Sequence, residues 1–325
     1  MKLPRRAFMR LAGGAVALPF TPRIAAAQNY PSRPLHFIVG FPSGGAADIV
    51  ARVVGNWMSE QLGQSVIVEN KPGAATNVAL QAVLTAPADG YTFGYISSSA
   101  TINSSLYAKP PFDFRRDFAP VAGMVNYPHV LVVNMTVPAK TISEFIAWLK
   151  ANPGKVSMAS YGTGTTSHLA GELFMSMTDT HMIHVPYRGD AQAFPDLISD
   201  RVQMYITPVT GALPHIKSGA LRPLAMMGNA RSDALPDVPI LADFVPGYEV
   251  NSFAGVAMRA GTPPDIIERL NRVISAGLAD PHLAARLAEL GAVPQPFTPA
   301  EFGAYMAAEA EKWAKIVRAA NVRIE

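Results

Sequence analysis

Short apolar segments alternate with amphipathic helical patterns through most of the chain. Residues 35–40 form an apolar run typical of a buried strand, and residues 46–62 carry apolar side chains at helical spacing. Seven further strands are predicted, with helices between them, at residues 65–69, 92–96, 129–133, 156–160, 182–185, 202–206 and 221–227. This alternation predicts an α/β fold of parallel sheets with helices on their faces.

The C-terminal part of the chain has a different pattern. A strand is predicted at residues 253–258. Three helices follow it without a further strand, at residues 263–278, 281–290 and 299–319. Because a helical tail of this kind packs back on a lobe that is already formed, we expect a discontinuous lobe 1 (residues 28–127 plus 252–325) and a lobe 2 (residues 128–251).

The N-terminus is typical of an export signal. Arg5 and Arg6 precede an apolar stretch at residues 11–20, and three alanines at residues 25–27 end the segment. A basic amphipathic anchor or a membrane span is the alternative, but this stretch is about half of the roughly 20 residues that a spanning helix needs. We therefore predict a twin-arginine signal over residues 1–27, cleavage after Ala27 and a periplasmic protein.

Removal of this segment changes the charge of the protein. Of the 27 basic residues, five lie within residues 1–27, which leaves 22 against 24 acidic residues and a net charge of −2. The basic excess that would favour a nucleic-acid partner is then gone. The chain has no cysteine, which excludes disulfides and thiolate chemistry, and we expect no metal and no cofactor.

A glycine loop opens the first predicted helix. Its candidate ligand-binding residues are Pro42, Gly44, Gly45, Ala46 and Asp48. Free backbone N–H groups at a helix N-terminus favour an anion, and glycine lets a ligand approach the backbone closely. The alternative is a tight strand-to-helix turn without a ligand. The loop is no P-loop, because the Lys-Ser/Thr pair is missing.

A second loop of the same kind follows the strand at residues 156–160. It offers Thr163, Thr165, Ser167 and His168, although Thr165 or Ser167 can equally serve only to cap the helix. Two anion-accepting helix starts, one in each lobe, favour a clamp that holds a small carboxylate or dicarboxylate.

Two further segments are expected at the same edge of the sheets. Tyr187 and the Gly189 backbone are favoured as ligand contacts over Arg188, which can be a solvated group or a partner of Asp190. Ser97 ends another strand and offers a hydroxyl, although serine-rich turns are also ordinary loops.

An enzyme is the alternative from a different class. The chain lacks a G-x-S-x-G elbow and a dinucleotide G-x-G-x-x-G motif, so a periplasmic hydrolase or isomerase acting on an organic acid is the less favoured hypothesis.

Several separated motifs resemble the Bug family, the substrate-binding receptors of tripartite tricarboxylate transporters. These motifs are Pro42-Ser43-Gly44-Gly45 with Asp48, Ala51 and Arg52; Glu69-Asn70-Lys71-Pro72-Gly73-Ala74; Asp89-Gly90-Tyr91; Gly162-Thr163-Gly164 with His168-Leu169-Ala170-Gly171-Glu172; His184-Val185-Pro186-Tyr187-Arg188-Gly189; and Ala234-Leu235-Pro236-Asp237-Val238-Pro239. The resemblance covers essentially all of the chain after the predicted signal.

The resemblance implies a type II periplasmic-binding-protein fold, with two α/β lobes around a central ligand cleft and two crossing strands between them. It also implies an acidic solute in the cleft and two membrane partners, a large and a small transporter subunit. We expect the receptor itself to be a monomer.

Two positions depart from the family's pattern. Asn77 stands where the family usually has a second glycine-rich element, and Thr207 stands where an acidic or amide residue is common. Both residues are therefore candidate ligand contacts that set the substrate.

Overall fold

The computed structural model of the chain describes residues 30–107, 110–229 and 231–319. The predicted export signal lies outside these residues. Across the described ranges, no helix combines the length and the apolar character needed to cross a bilayer.

The described ranges contain strands that form two sheets. In chain order the strands are β1 (Leu35–Val39), β2 (Val66–Asn70), β3 (Thr92–Ser97), β4 (Phe118–Tyr127), β5 (His129–Asn134), β6 (Ser157–Ser160), β7 (Ile183–Pro186), β8 (Met204–Pro208), β9 (Leu221–Met226), β10 (Ser252–Arg259) and β11 (Val293–Phe297). The first sheet has the order β11-β4-β10-β3-β1-β2, and the second has the order β7-β6-β8-β5-β9.

Helices cover the faces of both sheets. They are α1 (Ala46–Leu62), α2 (Asn77–Thr85), α3 (Ser98–Leu106), α4 (Phe114–Asp117), α5 (Ile142–Ala151), α6 (Thr166–Thr178), α7 (Asp190–Ile198), α8 (Val209–Lys217), α9 (Pro264–Ala279), α10 (Pro281–Glu289) and α11 (Pro299–Ala319). Several begin where the sequence provides a cap. The Thr141 hydroxyl accepts from the Glu144 N–H at 3.2 Å, and Pro281 occupies the first turn of α10.

The α/β fold with two sheets confirms the predicted class, but the sheets are mixed rather than purely parallel. β1 pairs in parallel with β2 and β3, whereas β10 runs antiparallel to β3 and β4. In the second sheet, β5 runs antiparallel to β8 and β9. The antiparallel pairs arise because β5 and β10 follow the passages of the chain between the sheets and do not follow a helical crossover. Those passages lie at Pro128 and between Val250 and Ser252.

Two strands were absent from the sequence-based prediction. The ten-residue β4 contains Pro120 and Gly123, which interrupt its apolar pattern. The expectation that no strand separates the C-terminal helices is wrong, because β11 lies between α10 and α11. Its sequence holds Pro294 and Pro296, which are tolerated because β11 is an edge strand that pairs only with β4 within the described ranges.

The long C-terminal helix contacts both halves of the core. Phe302 and Met306 of α11 are buried in a cluster with first-sheet residues, whereas Trp313 and Val317 are buried in a cluster with second-sheet residues such as Leu131. The tail therefore packs across the two sheets, and not on the first alone.

Candidate functional site

The loops that follow several strands of both sheets meet around one cavity, which we call the central cleft. Its lining residues are Phe41, Pro42, Gly45, Ala46, Ala47, Tyr95, Ser97, Ser98, Ser99, Tyr127, Tyr161, Thr166, Gly189, Asp190, Ala191, Pro208, Ser252 and Phe253. Most of them follow the carboxyl ends of strands, where α/β sheets bind ligands.

The loop before α1 reaches the central cleft only in part. Pro42, Gly45 and Ala46 line it, whereas Gly44 and Asp48 do not. Gly44 has a φ of 84°, a conformation that glycine adopts without strain. The loop therefore presents the start of α1, and not the Asp48 carboxylate, to a ligand.

Asp48 holds this loop in place. Its carboxylate accepts hydrogen bonds from the Gly44 N–H (2.9 Å), the Ser43 hydroxyl (3.2 Å), the Arg52 guanidinium (3.0 Å) and the Asn70 amide (2.9 Å). Burial alone would raise the pKa of Asp48, but these hydrogen bonds outweigh burial and hold that pKa below its ordinary value. Asp48 is thus an ionised clamp for the loop.

The loop before α6 is shaped by neutral hydrogen bonds. The Thr165 hydroxyl donates to the Gly162 carbonyl at 2.6 Å, and the Gly162 N–H donates to the Ser160 hydroxyl at 3.2 Å. The Ser167 hydroxyl donates to the Ile206 carbonyl deep in the protein. Of this segment, Thr166 lines the central cleft, while Thr163 and Thr165 line an adjoining, outer cavity.

Two stacked histidines support the same loop. The His168 and His184 rings lie 4.0 Å apart, with 18° between their planes. His168 Nδ1 accepts from the Gly164 N–H at 3.2 Å, and His184 Nε2 lies 2.7 Å from the Ser160 hydroxyl. Burial, with a smaller effect from His168, lowers the pKa of His184 to about 4. His168 therefore supports the loop from behind rather than lining the cleft.

Four other residues that the sequence predicted as ligand contacts lie in different places, and only one of them lines the central cleft. Gly189 lines the central cleft, and a Cβ there would lie 2.9 Å from Pro42 Cδ, so glycine permits the two sides to touch. Tyr187 lines the outer cavity and donates to Asp196 at 2.9 Å. Thr207 is fully buried and does not line the cleft, although its hydroxyl donates to Asp190. Asn77 also lies outside the cleft lining, and its side-chain oxygen accepts a 2.8 Å hydrogen bond from the Asn103 amide.

Ser97 stands at the start of α3 and lines the central cleft. Ser97 is buried, with 8% of the residue exposed, and no described residue hydrogen-bonds to its buried hydroxyl. Ser98 accepts from the Phe253 N–H at 3.1 Å, and Ser99 also lines the cleft. The unpaired Ser97 hydroxyl therefore lies beside the first N–H groups of α3, which have no partner within the helix.

Aromatic side chains form much of the remaining wall, and sequence reasoning did not find them. The Tyr95 hydroxyl donates to the Tyr127 hydroxyl at 2.9 Å, and Phe41 packs edge-on against both Tyr95 and Tyr161. His129 Nδ1 donates to the Tyr127 carbonyl, so its Nε2 can accept from the Tyr161 hydroxyl at 3.2 Å. Tyr95 lies one residue before the end of the strand predicted at residues 92–96, which was the signal available for it, whereas Tyr127 ends β4, a strand that the sequence did not predict.

Asp190 also lines the central cleft, and sequence reasoning missed it as a cleft residue. Its Oδ1 accepts from the Tyr205 and Thr207 hydroxyls, and its Oδ2 lies 3.5 Å from the Ala46 nitrogen on the opposite side of the cleft. Burial raises the pKa of Asp190 although these hydrogen bonds act in the opposite direction. Its place directly after Gly189, at the start of α7, was the available signal.

The charges around the cleft are few. Among the described residues that line it, Asp190 carries the only ionisable acid and there is no lysine, arginine or histidine; Arg188 lines the outer cavity. No group of three or more His, Asp or Glu in the described ranges could hold a metal ion. The site can bind an anion through N–H and O–H donors.

Comparison of the sequence with known proteins identifies a family of transport receptors. The sequence matches the family model described as tripartite tricarboxylate transporter family receptor, TctC, over residues 50–322. It is 36% identical over 307 residues to a UPF0065 protein from the tcbD-tcbE intergenic region of Pseudomonas sp. strain P51, covering 93% of this chain and 91% of that protein. It is 35% identical over 302 residues to Protein BugT of Bordetella pertussis, covering 92% of this chain and 93% of BugT.

Solved structures show the same fold. Rpa4515 of R. palustris, solved with adipate, has a TM-score of 0.88 at 32% identity and covers 90% of this chain and 99% of its own. The periplasmic binding protein BugD has a TM-score of 0.87 at 30% identity, with 91% and 100% covered. MatC of Rhodopseudomonas palustris, solved with malate, has a TM-score of 0.84 at 27% identity, with 89% and 100% covered.

Proposed function

Because the chain belongs to the tripartite tricarboxylate transporter family of receptors, we propose that it captures a small organic carboxylate in the central cleft and delivers it to a membrane transporter. The family membership confirms the resemblance to the Bug proteins and makes the chain a solute-binding receptor rather than an enzyme. The hydrolase or isomerase alternative is not retained. The membrane partners would be one large and one small transporter subunit.

One observation carries the carboxylate proposal. The starts of α1, α3 and α6 all border the central cleft, and the buried Ser97 hydroxyl there has no hydrogen-bond partner among the described residues. Helix N-termini and a buried hydroxyl without a partner suit an anion. The adipate of Rpa4515 and the malate of MatC support the same ligand class.

The proposed contacts follow from this geometry. Five of the residues predicted from sequence line the central cleft, namely Pro42, Gly45, Ala46, Ser97 and Gly189. Ser99 and Thr166 join them as hydroxyl donors, whereas Thr163, Thr165 and Tyr187 would act only at the outer cavity.

The remaining features of the proposal concern the whole protein. Residues 28–127 with 252–325 would form one lobe and residues 128–251 the other, joined at the two chain passages. Residues 1–27 would direct export, with cleavage after Ala27 and a monomeric receptor in the periplasm. BugD is a periplasmic binding protein, which supports this location.

A thermal-shift screen tests the ligand class. At a ligand concentration of 100 Kd, one-site binding stabilises the folded state by about 2.7 kcal/mol. We expect at least one mono- or dicarboxylate of three to eight carbons to raise the melting temperature in a saturable way, with sugars and metal cations as controls. A shift with a sugar or a cation and with no acid would overturn the proposal.

A further inference from the structure

One carboxylate of the protein already lies in the central cleft, and this bears on which acids the cleft accepts. Asp190 lines the cavity from the side of the second sheet, and Ser97 lines it from the side of the first. None of the described residues that line the cleft is basic; His215 lies near Asp190 outside this lining, and burial lowers the pKa of His215.

Burial raises the pKa of Asp190 above its ordinary value, and the hydrogen bonds of its carboxyl group act in the opposite direction, toward the ionised form. Tyr205 and Thr207 both donate to Oδ1, and the Ala46 N–H points at Oδ2. Donors that converge on a carboxylate stabilise its charged state, and the start of α7, where Asp190 lies, acts in the same direction.

The two oxygens of this carboxylate differ in how well they are satisfied. Oδ1 accepts two hydroxyl hydrogen bonds, whereas the contact of Oδ2 with the Ala46 nitrogen is 3.5 Å long, at the outer limit of a hydrogen bond. Oδ2 therefore keeps capacity for a donor from a ligand in the cleft.

The position of Asp190 also affects where a ligand carboxylate can lie. Because its Oδ2 is next to the Ala46 N–H, the start of α1 already faces a carboxyl group of the protein. The start of α3 has no such group, and the buried Ser97 hydroxyl beside it is without a partner among the described residues. A ligand carboxylate is thus best held at Ser97, apart from Asp190.

We propose that Asp190 selects monocarboxylates that carry a hydrogen-bond donor, a hydroxyl or an ammonium group, and rejects dicarboxylates. The ligand carboxylate would lie at the start of α3 and the donor would bind Asp190 Oδ2. A second carboxylate would lie beside the Asp190 carboxyl group, so its binding would bring two negative charges together or require one of the two groups to take up a proton, and both disfavour a dicarboxylate. This selection rests on the proposed function and narrows its ligand class.

Matched acids of equal chain length test the selection. Calorimetric titration of the protein would compare, for chains of four to six carbons, the ω-hydroxy acid, the ω-amino acid and the α,ω-dicarboxylate. We expect the tightest hydroxy or amino acid to bind about tenfold or more tightly than the dicarboxylate of its length, a difference of about 1.4 kcal/mol. A dicarboxylate as the tightest ligand would overturn the selection and leave the proposed receptor function intact.

Variants assign the preference to the carboxylate. Asp190→Asn keeps the shape and one acceptor, so we expect the preference to fall to about threefold or less. Asp243→Asn removes an exposed carboxylate in the same half of the chain and should leave the preference unchanged. An unchanged preference in Asp190→Asn would contradict the inference. If that variant fails to fold, the ranking of the acids by the wild-type protein still tests the selectivity. If the wild-type protein binds no acid at all, both the selectivity and the proposed receptor function are overturned.

Discussion

The loop before α1 and the loop before α6 both follow a strand, both contain glycines and both open a helix toward the central cleft. They differ in what fixes them. Asp48 holds the first loop through an ionised carboxylate with four hydrogen-bonding partners, among them Arg52. The second loop is fixed by hydroxyls and by the stacked, mutually supporting rings of His168 and His184.

This difference shows that a charge near an anion-accepting helix start need not touch the ligand. Asp48 is buried and turned away from the central cleft, so its charge orders backbone rather than binding solute. The second loop reaches a similar geometry without any ionised group in direct contact with its glycines.

The largest effect is expected from Asp48→Ala. The variant removes four hydrogen bonds and leaves Gly44 N–H and Asn70 without their partner, so we expect a loss of about 2–4 kcal/mol in the free energy of unfolding. Urea denaturation measures it. Glu268→Ala is the matched control, because its pair with Arg272 is exposed and should be worth less than about 1 kcal/mol. Equal effects from the two variants would contradict the clamp.

Acid should lower the free energy of unfolding through two histidines of the second sheet, which also carries the loop before α6. Burial lowers the pKa of His129 to about 4, and His184 has a similar value. In the unfolded chain these histidines gain a proton near pH 6.5, whereas in the folded protein they stay neutral until about pH 4. The unfolded state then binds more protons between these values, so stability falls as the pH decreases through this window.

The expected loss between pH 7 and pH 4.5 is about 1–3 kcal/mol, mostly from His129 because partial exposure reduces the share of His184. Asp48 contributes little in this range, since its lowered pKa confines its loss of stability to more acidic solution. Urea titrations of the wild type and of His129→Gln at both pH values measure the effect. Equal pH dependence in the two proteins would contradict it.

Much of the fold could be predicted from the sequence, because apolar runs and helical stripes report burial directly. The strands at the start of each predicted β-α unit and the helices after them follow that pattern. β4 and β11 could not be found in the same way, since Pro120, Gly123, Pro294 and Pro296 are unfavourable in strands and are tolerated here only through pairing partners distant in sequence.

The site was predictable as a set of loops but not as a set of side chains. Which way Asp48 turns depends on Arg52 and Asn70, and whether Asp190 enters the cleft depends on Tyr205 and Thr207 from another strand. Asn77 lies away from the central cleft for a similar reason, its amide being paired with Asn103. Such contacts are made by tertiary structure and leave no local pattern.

Ser97→Ala is expected to have the smallest effect on stability. It is also the most direct test of whether neutral donors capture the carboxylate. Because no described residue hydrogen-bonds to the Ser97 hydroxyl, the empty variant should unfold within about 0.5 kcal/mol of the wild type. Calorimetric titration with the tightest acid from the screen measures the affinity of both proteins. We expect Ser97→Ala to bind the acid about tenfold more weakly, a difference of about 1.4 kcal/mol. Unchanged affinity in the folded variant would contradict it.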